Sequence, residues 1–134
     1  MIGLFFGLTI AVVVVDLATK FTVDGILNSG IAWGLGAEVT WLWVVVVVVS
    51  FGLVVGLVWW FLRSKQRTWF NTVGLSLFIG GVLGNALDRL ISQGAVHDFI
   101  DFGIFRNNIA DIAISVGAVL IVLALIKGEQ RATR

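Results

Sequence analysis

The feature that most constrains this chain is an uncharged run, Trp41–Leu62, that passes through six consecutive valines, Val44–Val49. At 1.5 Å per residue a helix of that length reaches about 33 Å, enough to cross the hydrocarbon core of a bilayer. Tryptophans bracket it, Trp41 and Trp43 at one end and Trp59 and Trp60 at the other, as aromatic belts do at two membrane surfaces. Valine favours strands in water, but in lipid every backbone polar group must be satisfied within the segment, so the run is read as a helix. Three more apolar runs follow the same logic: Ile2–Ala18, interrupted late by Asp16, then about Thr68–Leu87 and about Ile109–Ile126. The first carries no preceding Lys or Arg and no clean small-residue cleavage site, so it is read as a retained helix. The expectation is an all-α integral membrane protein with spans at about 2–18, 41–62, 68–87 and 109–126.

Composition agrees. At 59% hydrophobic and 13% charged residues, the chain is too apolar for a soluble domain, which averages about 45–50% and 25%. The absence of cysteine excludes disulfides, thiolate metal sites and a cysteine nucleophile, and a single histidine excludes a multi-histidine metal site. A net charge of +1 with no clustered basic face argues against nucleic acid. No linker, low-complexity tail or internal repeat divides the chain beyond the valine run, which points to one domain over 1–134.

Orientation follows from the basic residues. Arg63, Lys65 and Arg67 crowd the link after the second span, and Lys127, Arg131 and Arg134 follow the fourth. With four spans these segments share a side with the N-terminus, and the positive-inside rule makes it cytoplasmic. The loops at about Thr19–Thr40 and Asp88–Asn108 then lie outside. Within the second, Ala95–Phe105 mixes β-branched and aromatic residues with polar ones, as in a short surface sheet. Three small-xxx-small pairs, Gly3/Gly7, Gly52/Gly56 and Gly80/Gly84, permit close helix packing, although glycine is also simply frequent in membrane helices.

On this topology Asp16, Asp88 and Asp111 come to one depth, near the outer ends of three spans. Ionisable groups at such positions usually face a bundle interior or a wet cavity. Each alone has a plain structural reading: an Asp at a span end also reaches headgroups, and Asp111 also suits a helix N-cap. Asn85, Asp88 and Arg89 stand at i, i+3 and i+4 and share a helix face, with Gly81 and Gly84 a turn deeper leaving room for a backbone. Asn108 lies three residues before Asp111, and Ala110 beside it. Two carboxylates in one low-dielectric site cannot both ionise easily, so a pair among these acids is expected to share a proton and can activate a water. His97 is read as a loop residue rather than a base. Rival readings are a transport protein, disfavoured because the inner halves of spans two to four hold no ionisable group, and a bundle without chemistry, which leaves the polar face unexplained.

These residues fall into five ordered segments: Asp16-Leu-Ala-Thr19-Lys20, Asn28-Ser-Gly30-Ile-Ala32-Trp33-Gly34, Gly84-Asn85-Ala-Leu-Asp88-Arg89, Val96-His-Asp98-Phe99-Ile100 and Asn108-Ile-Ala110-Asp111. They resemble the D-x-x-T-K, N-x-G-x-A-F-G, G-N-x-x-D-R, V-x-D-F-I and F-N-x-A-D motifs of the bacterial lipoprotein signal peptidases. Asn107 stands where that family usually has an aromatic residue. The resemblance implies an aspartic endopeptidase with Asp88 and Asp111 as catalytic pair, supported by Asp16, Lys20, Asn28, Gly30, Asn85, Arg89, Asn108 and Ala110. It implies a lipid-modified prolipoprotein substrate, cut before the lipidated cysteine in the bacterial cytoplasmic membrane among its lipids, with no metal or organic cofactor. It also implies a small extracytoplasmic β-cradle and an amphipathic segment across Val23–Thr40 and Ala95–Phe105. One chain can house the whole site, so a monomer is expected.

Overall fold

The structure, a computed structural model, describes residues 1–30, 39, 41–65 and 67–132. Four helices, α1 (Ile2–Thr22), α2 (Leu42–Arg63), α3 (Trp69–Ile91) and α4 (Ile109–Ala132), are each long and apolar enough to cross a membrane. Between them, at one end of the bundle, lie strands β1 (Ile26–Asn28), β2 (Val96–Asp98), β3 (Ile100–Asp101) and β4 (Arg106–Asn107). β1 and β2 pair antiparallel with Leu27 opposite His97, and β3 and β4 pair with Asp101 opposite Arg106. The expected helical bundle with small sheets is therefore present. The amphipathic segment expected within Val23–Thr40 falls largely on residues 31–38 and 40, outside the described residues.

α3 is the central helix: it packs on α4, α1 and α2, and half of its apolar span is buried inside the protein against 11% for α2. The apolar core sits toward the basic end, where Phe5 stacks on Phe61 at 4.1 Å between centroids and Val54, Leu75 and Ile79 close around them. With no water available in such a core, buried hydroxyls bond to main-chain carbonyls. Ser76 Oγ donates across helices to the Phe5 carbonyl at 3.1 Å, and Thr9 Oγ1 donates to the same carbonyl at 2.8 Å. Thr68 caps α3 by accepting the Asn71 N–H at 3.2 Å.

Three helices clearly outrun the expected spans: α1 continues to Thr22, α3 to Ile91 and α4 to Ala132, beyond the boundaries at 18, 87 and 126. In α1 and α3 apolarity ends earlier than helicity because Lys20, Asp88 and Arg89 in those last turns find partners inside the bundle rather than in solvent. α3 stops at Gln93 and Gly94, both with positive φ (52° and 107°), and the Gly94 N–H bonds back to the Arg89 carbonyl at 2.7 Å. Glycine is required at 94 twice over, since a Cβ there would lie 2.7 Å from the Trp43 ring of α2.

Of the three small-residue pairs, one packs. A Cβ on Gly80 would meet Val12 of α1 at 2.7 Å, and one on Gly84 would strike the Asp16 carboxylate. Gly81, between them, lies against the Ala110 carbonyl and Ile114 of α4. Gly3, Gly7, Gly52 and Gly56 have nothing within 4 Å. Gly81→Val is therefore expected to force α3 from α4 and cost about 1–3 kcal/mol or more. Gly52→Ala, with room for its methyl, should hold or gain up to about 1 kcal/mol of helix propensity. Thermal unfolding of both variants in detergent checks this, and equal losses would place the packing elsewhere.

Candidate active site

At the strand-bearing end, α1 delivers Asp16 and Lys20 one turn apart. The Lys20 ammonium is buried and faces three acceptors: Asp16 Oδ2 at 2.8 Å, Asn85 Oδ1 at 2.7 Å and Asp88 Oδ2 at 3.5 Å. A buried charge is tolerable only when it is matched, and here one hydrogen bond to Asn85 is joined by two flanking carboxylates. The Asp16 Oδ2 contact is a close ion pair without a well-aligned hydrogen bond. Asp16 Oδ1 accepts the backbone N–H of Ala110 at 2.8 Å, one of the N–H groups that the first turn of α4 leaves without an intrahelical partner. A carboxylate there also suits the positive end of the helix.

α4 is opened by a reciprocal pair. Asn108 Oδ1 accepts the Asp111 N–H at 3.1 Å, and Asp111 Oδ2 accepts the Asn108 N–H at 3.4 Å, the arrangement of a capping box. Asn108 is therefore the cap, and Asp111 sits on the helix three residues in. Asp111 Oδ1 accepts Asn85 Nδ2 at 2.8 Å.

Asp98, on β2, is buried and completes the cluster. Its Oδ1 accepts Asn108 Nδ2 at 2.7 Å, and its Oδ2 accepts Asn28 Nδ2 at 3.0 Å. The three amides have one sense each. Ammonium and backbone N–H groups only donate, so Lys20 holds the Asn85 oxygen, the Gly30 N–H holds the Asn28 oxygen at 3.0 Å, and the Asp111 N–H holds the Asn108 oxygen. Each amide nitrogen is thereby turned toward a carboxylate. Burial raises the Asp98 carboxyl above its ordinary 3.8; the Asn28 and Asn108 donors oppose this, and the charge of Asp111 adds to it.

The contacts of Asp88 run to α3, β2 and α1. Asp88 Oδ1 faces Ser92 Oγ at 3.1 Å and His97 Nδ1 at 2.9 Å, while Oδ2 accepts the His97 backbone N–H at 2.8 Å beside Lys20. Its oxygens are committed to holding β2 and balancing Lys20. The carboxylate electrostatically coupled to Asp111, and bridged to it by Asn108, is Asp98. Arg89 is buried, donates to the Gly30 carbonyl at 3.0 Å and lends its charge to Asp111, Asp88 and Asp98 together.

The structure thus brings all ten sequence-selected residues, Asp16, Lys20, Asn28, Gly30, Asn85, Asp88, Arg89, Asn108, Ala110 and Asp111, into one network. It adds two that sequence reasoning left out. Asp98 stood inside a recognised segment without being selected; the available signal was period-2 burial, since Val96 and Asp98 are both buried on one face of β2. His97, read as a loop residue, is on that strand and touches Asp88. Beside Asp98 a cavity of about 460 Å³ opens, lined in part by Leu27, Asn28, Asp101, Phe105 and Arg106.

Residues 8–127 match the family model described as signal peptidase (SPase) II. Lipoprotein signal peptidases of Staphylococcus aureus, strains JH9 and Newman among them, are 37% identical over 106 residues, covering 75% of this chain and 62% of theirs. The chain therefore spans under two thirds of the length of those relatives. Two solved structures, both described as bacterial membrane enzymes, superpose on it. One has a TM-score of 0.83 at 27% identity and covers 98% of this chain and 92% of its own. The other has a TM-score of 0.75 at 28% identity, with 95% of each chain covered. Four apolar helices and these likenesses make this a multi-pass bacterial membrane protein, and the chain belongs to the signal peptidase II family.

Proposed function

We propose that this protein is an aspartic endopeptidase that removes signal peptides from diacylglyceryl-modified prolipoproteins, with Asp98 and Asp111 as its catalytic pair. The observation that carries the assignment is that Asn108 donates to both carboxylates, through its side-chain amide to Asp98 and its backbone N–H to Asp111, and that Asp98 lines an open cavity. Two carboxylates so coupled share one proton. In this assignment Asp98, whose carboxyl burial holds above the ordinary range, starts with the proton, and Asp111 starts as the base. Asp111 takes a proton from water as the oxygen attacks the scissile carbonyl, and Asp98 gives its proton to the carbonyl oxygen. The tetrahedral intermediate then collapses: its hydroxyl proton returns to Asp98, the proton on Asp111 passes to the leaving amine, and the C–N bond breaks.

In this reading Asp88, Lys20 and Asp16 position the pair, with Asn28, Asn85 and Asn108 supplying oriented donors, Arg89 tying Gly30 to α3, and Ala110 keeping α4 close. Both termini lie on the cytoplasmic side, because Arg63, Lys65, Arg67 and Lys127 occupy the end of the bundle away from the site. The site then faces the outer interface, where a lipid-anchored peptide can reach it. Residues 1–134 act as one domain, and a monomer surrounded by lipid suffices, since every site residue comes from one chain.

Cleavage of a diacylglyceryl-modified prolipoprotein in detergent tests the assignment. Asp98→Asn and Asp111→Asn are each expected to lower kcat by about 10³-fold or more, while Asp88→Asn loses less than about 10²-fold. A dead Asp88→Asn beside an active Asp98→Asn would return the pair to Asp88 and Asp111. A parent inert on several such substrates would overturn the proteolytic reading.

A second test uses pH. The folded protein keeps the Asp98 proton at pH values where the unfolded chain has released it, so this group's contribution is present below 3.8 and is lost as pH rises through the raised folded value. The thermal midpoint of the parent, relative to Asp98→Asn, is expected to fall as pH rises above 3.8. A difference that rises or stays flat with pH would contradict the burial of a titrating Asp98.

A further inference from the structure

His97 precedes Asp98 on β2 and, by strand alternation, points the opposite way. Asp88 grips this residue twice, through the backbone N–H at 2.8 Å and through ring Nδ1 at 2.9 Å. The ring also faces Ser92 Oγ at 3.5 Å and Phe21 at 5.6 Å between centroids. The charged and titratable groups around it are Asp88 of α3, Lys20 of α1 behind Asp88, and Asp98 on its own strand, while β1 opposes it with Leu27. Its side chain is 25% exposed, so protons reach it from solvent, whereas Asp88 and Lys20 are sealed at 0%.

The charge count in this corner is uneven. The ammonium of Lys20 is shared by Asp16 and Asp88, and the charge of Arg89 is divided among Asp111, Asp88 and Asp98, so four carboxyl groups face two fixed cations and an imidazolium at 97 adds a third. Imidazole is the side chain that changes charge within the ordinary working range of pH. When charged, it strengthens the Asp88 hold on β2 and places a positive charge one residue from Asp98, which eases loss of the proton that the pair shares.

We infer that His97 is a positioning residue for Asp98, acting through Asp88, and that its ring charge extends cleavage into more acidic solution. The inference rests on the assignment of Asp98 and Asp111 as the working pair. In acid the imidazolium lets the pair reach its singly protonated form at lower pH. In alkali the ring is neutral and gives no such help. A variant that cannot charge should therefore shift the acid limb of the pH profile upward and leave the alkaline limb in place.

The test is the pH dependence of kcat/KM for a lipid-modified prolipoprotein, measured in detergent for the parent, Asp98→Asn, His97→Asn and His97→Val. Asparagine keeps a donor near the Nδ1 position but carries no charge, and valine keeps neither. His97→Val is expected to lose about tenfold in kcat with little change in KM, and His97→Asn to recover most of that loss. The acid limb of His97→Asn should lie about half a pH unit or more above that of the parent. If the parent cuts, Asp98→Asn does not, and the His97→Asn profile overlays the parent on both limbs, the charge role is overturned while the catalytic pair stands. A His97→Val that matches the parent in kcat overturns the positioning role. If His97→Val fails to fold, His97→Asn decides both points through its limb position and its kcat. A parent without cleavage removes the pair and the inference together.

Discussion

The buried ammonium of Lys20 is the interaction on which the polar end of the bundle depends. A lone charge taken out of water costs several kcal/mol, so it persists only where acceptors converge on it. Here they come from its own helix, through Asp16, and from the central helix, through Asn85 and Asp88. Each acceptor then passes the constraint on. Asp16 reaches the first turn of α4 at Ala110, Asn85 turns its amide toward Asp111, and Asp88 holds the strand that carries Asp98. Both members of the proposed pair are thus positioned by routes that start at one nitrogen atom.

The rest of the bundle lets this arrangement exist in lipid. α3 is the most buried of the four helices, and its glycines bring α1 and α4 near enough for Asp16 to touch Ala110. α2 contributes little to the network; its valines stay largely exposed, as a lipid-facing helix requires. Apolar core and polar site occupy opposite ends. The dry packing of Phe5, Phe61 and Ile79 is therefore never asked to hold the charges.

The spans were legible because hydropathy and length act through a single physical requirement, backbone satisfaction in a medium without water. The network's membership was nearly legible too: ten polar and small residues chosen from motifs and helical spacing do converge. Where the proposal departs from the motif reading is the pairing. Asp88 looked equivalent to Asp111 by depth and helix face, but whether a carboxylate is free to act depends on who else contacts it. Lys20 reaches Asp88 from the distant α1, and His97 folds back onto it from the strand that follows α3. Asp98 was hidden because a three-residue strand shows its burial only once β1 pairs with it. Of the glycine pairs only Gly80/Gly84 packs, since spacing alone cannot tell a face turned to a neighbour from one turned to lipid.

The fixed sense of the three amides bears on how the protein ages. Asn28, Asn85 and Asn108 each present nitrogen to a carboxylate because a pure donor holds the oxygen. Spontaneous deamidation would exchange that nitrogen for a second oxygen, setting acceptor against acceptor and adding a negative charge beside Asp98 or Asp111. Asn85 and Asn108 are shielded by helix geometry or by burial, whereas Asn28 is followed by an exposed serine in a loop. Chemical wear would therefore reach the site first through the strand β1, with the fold of the membrane helices untouched.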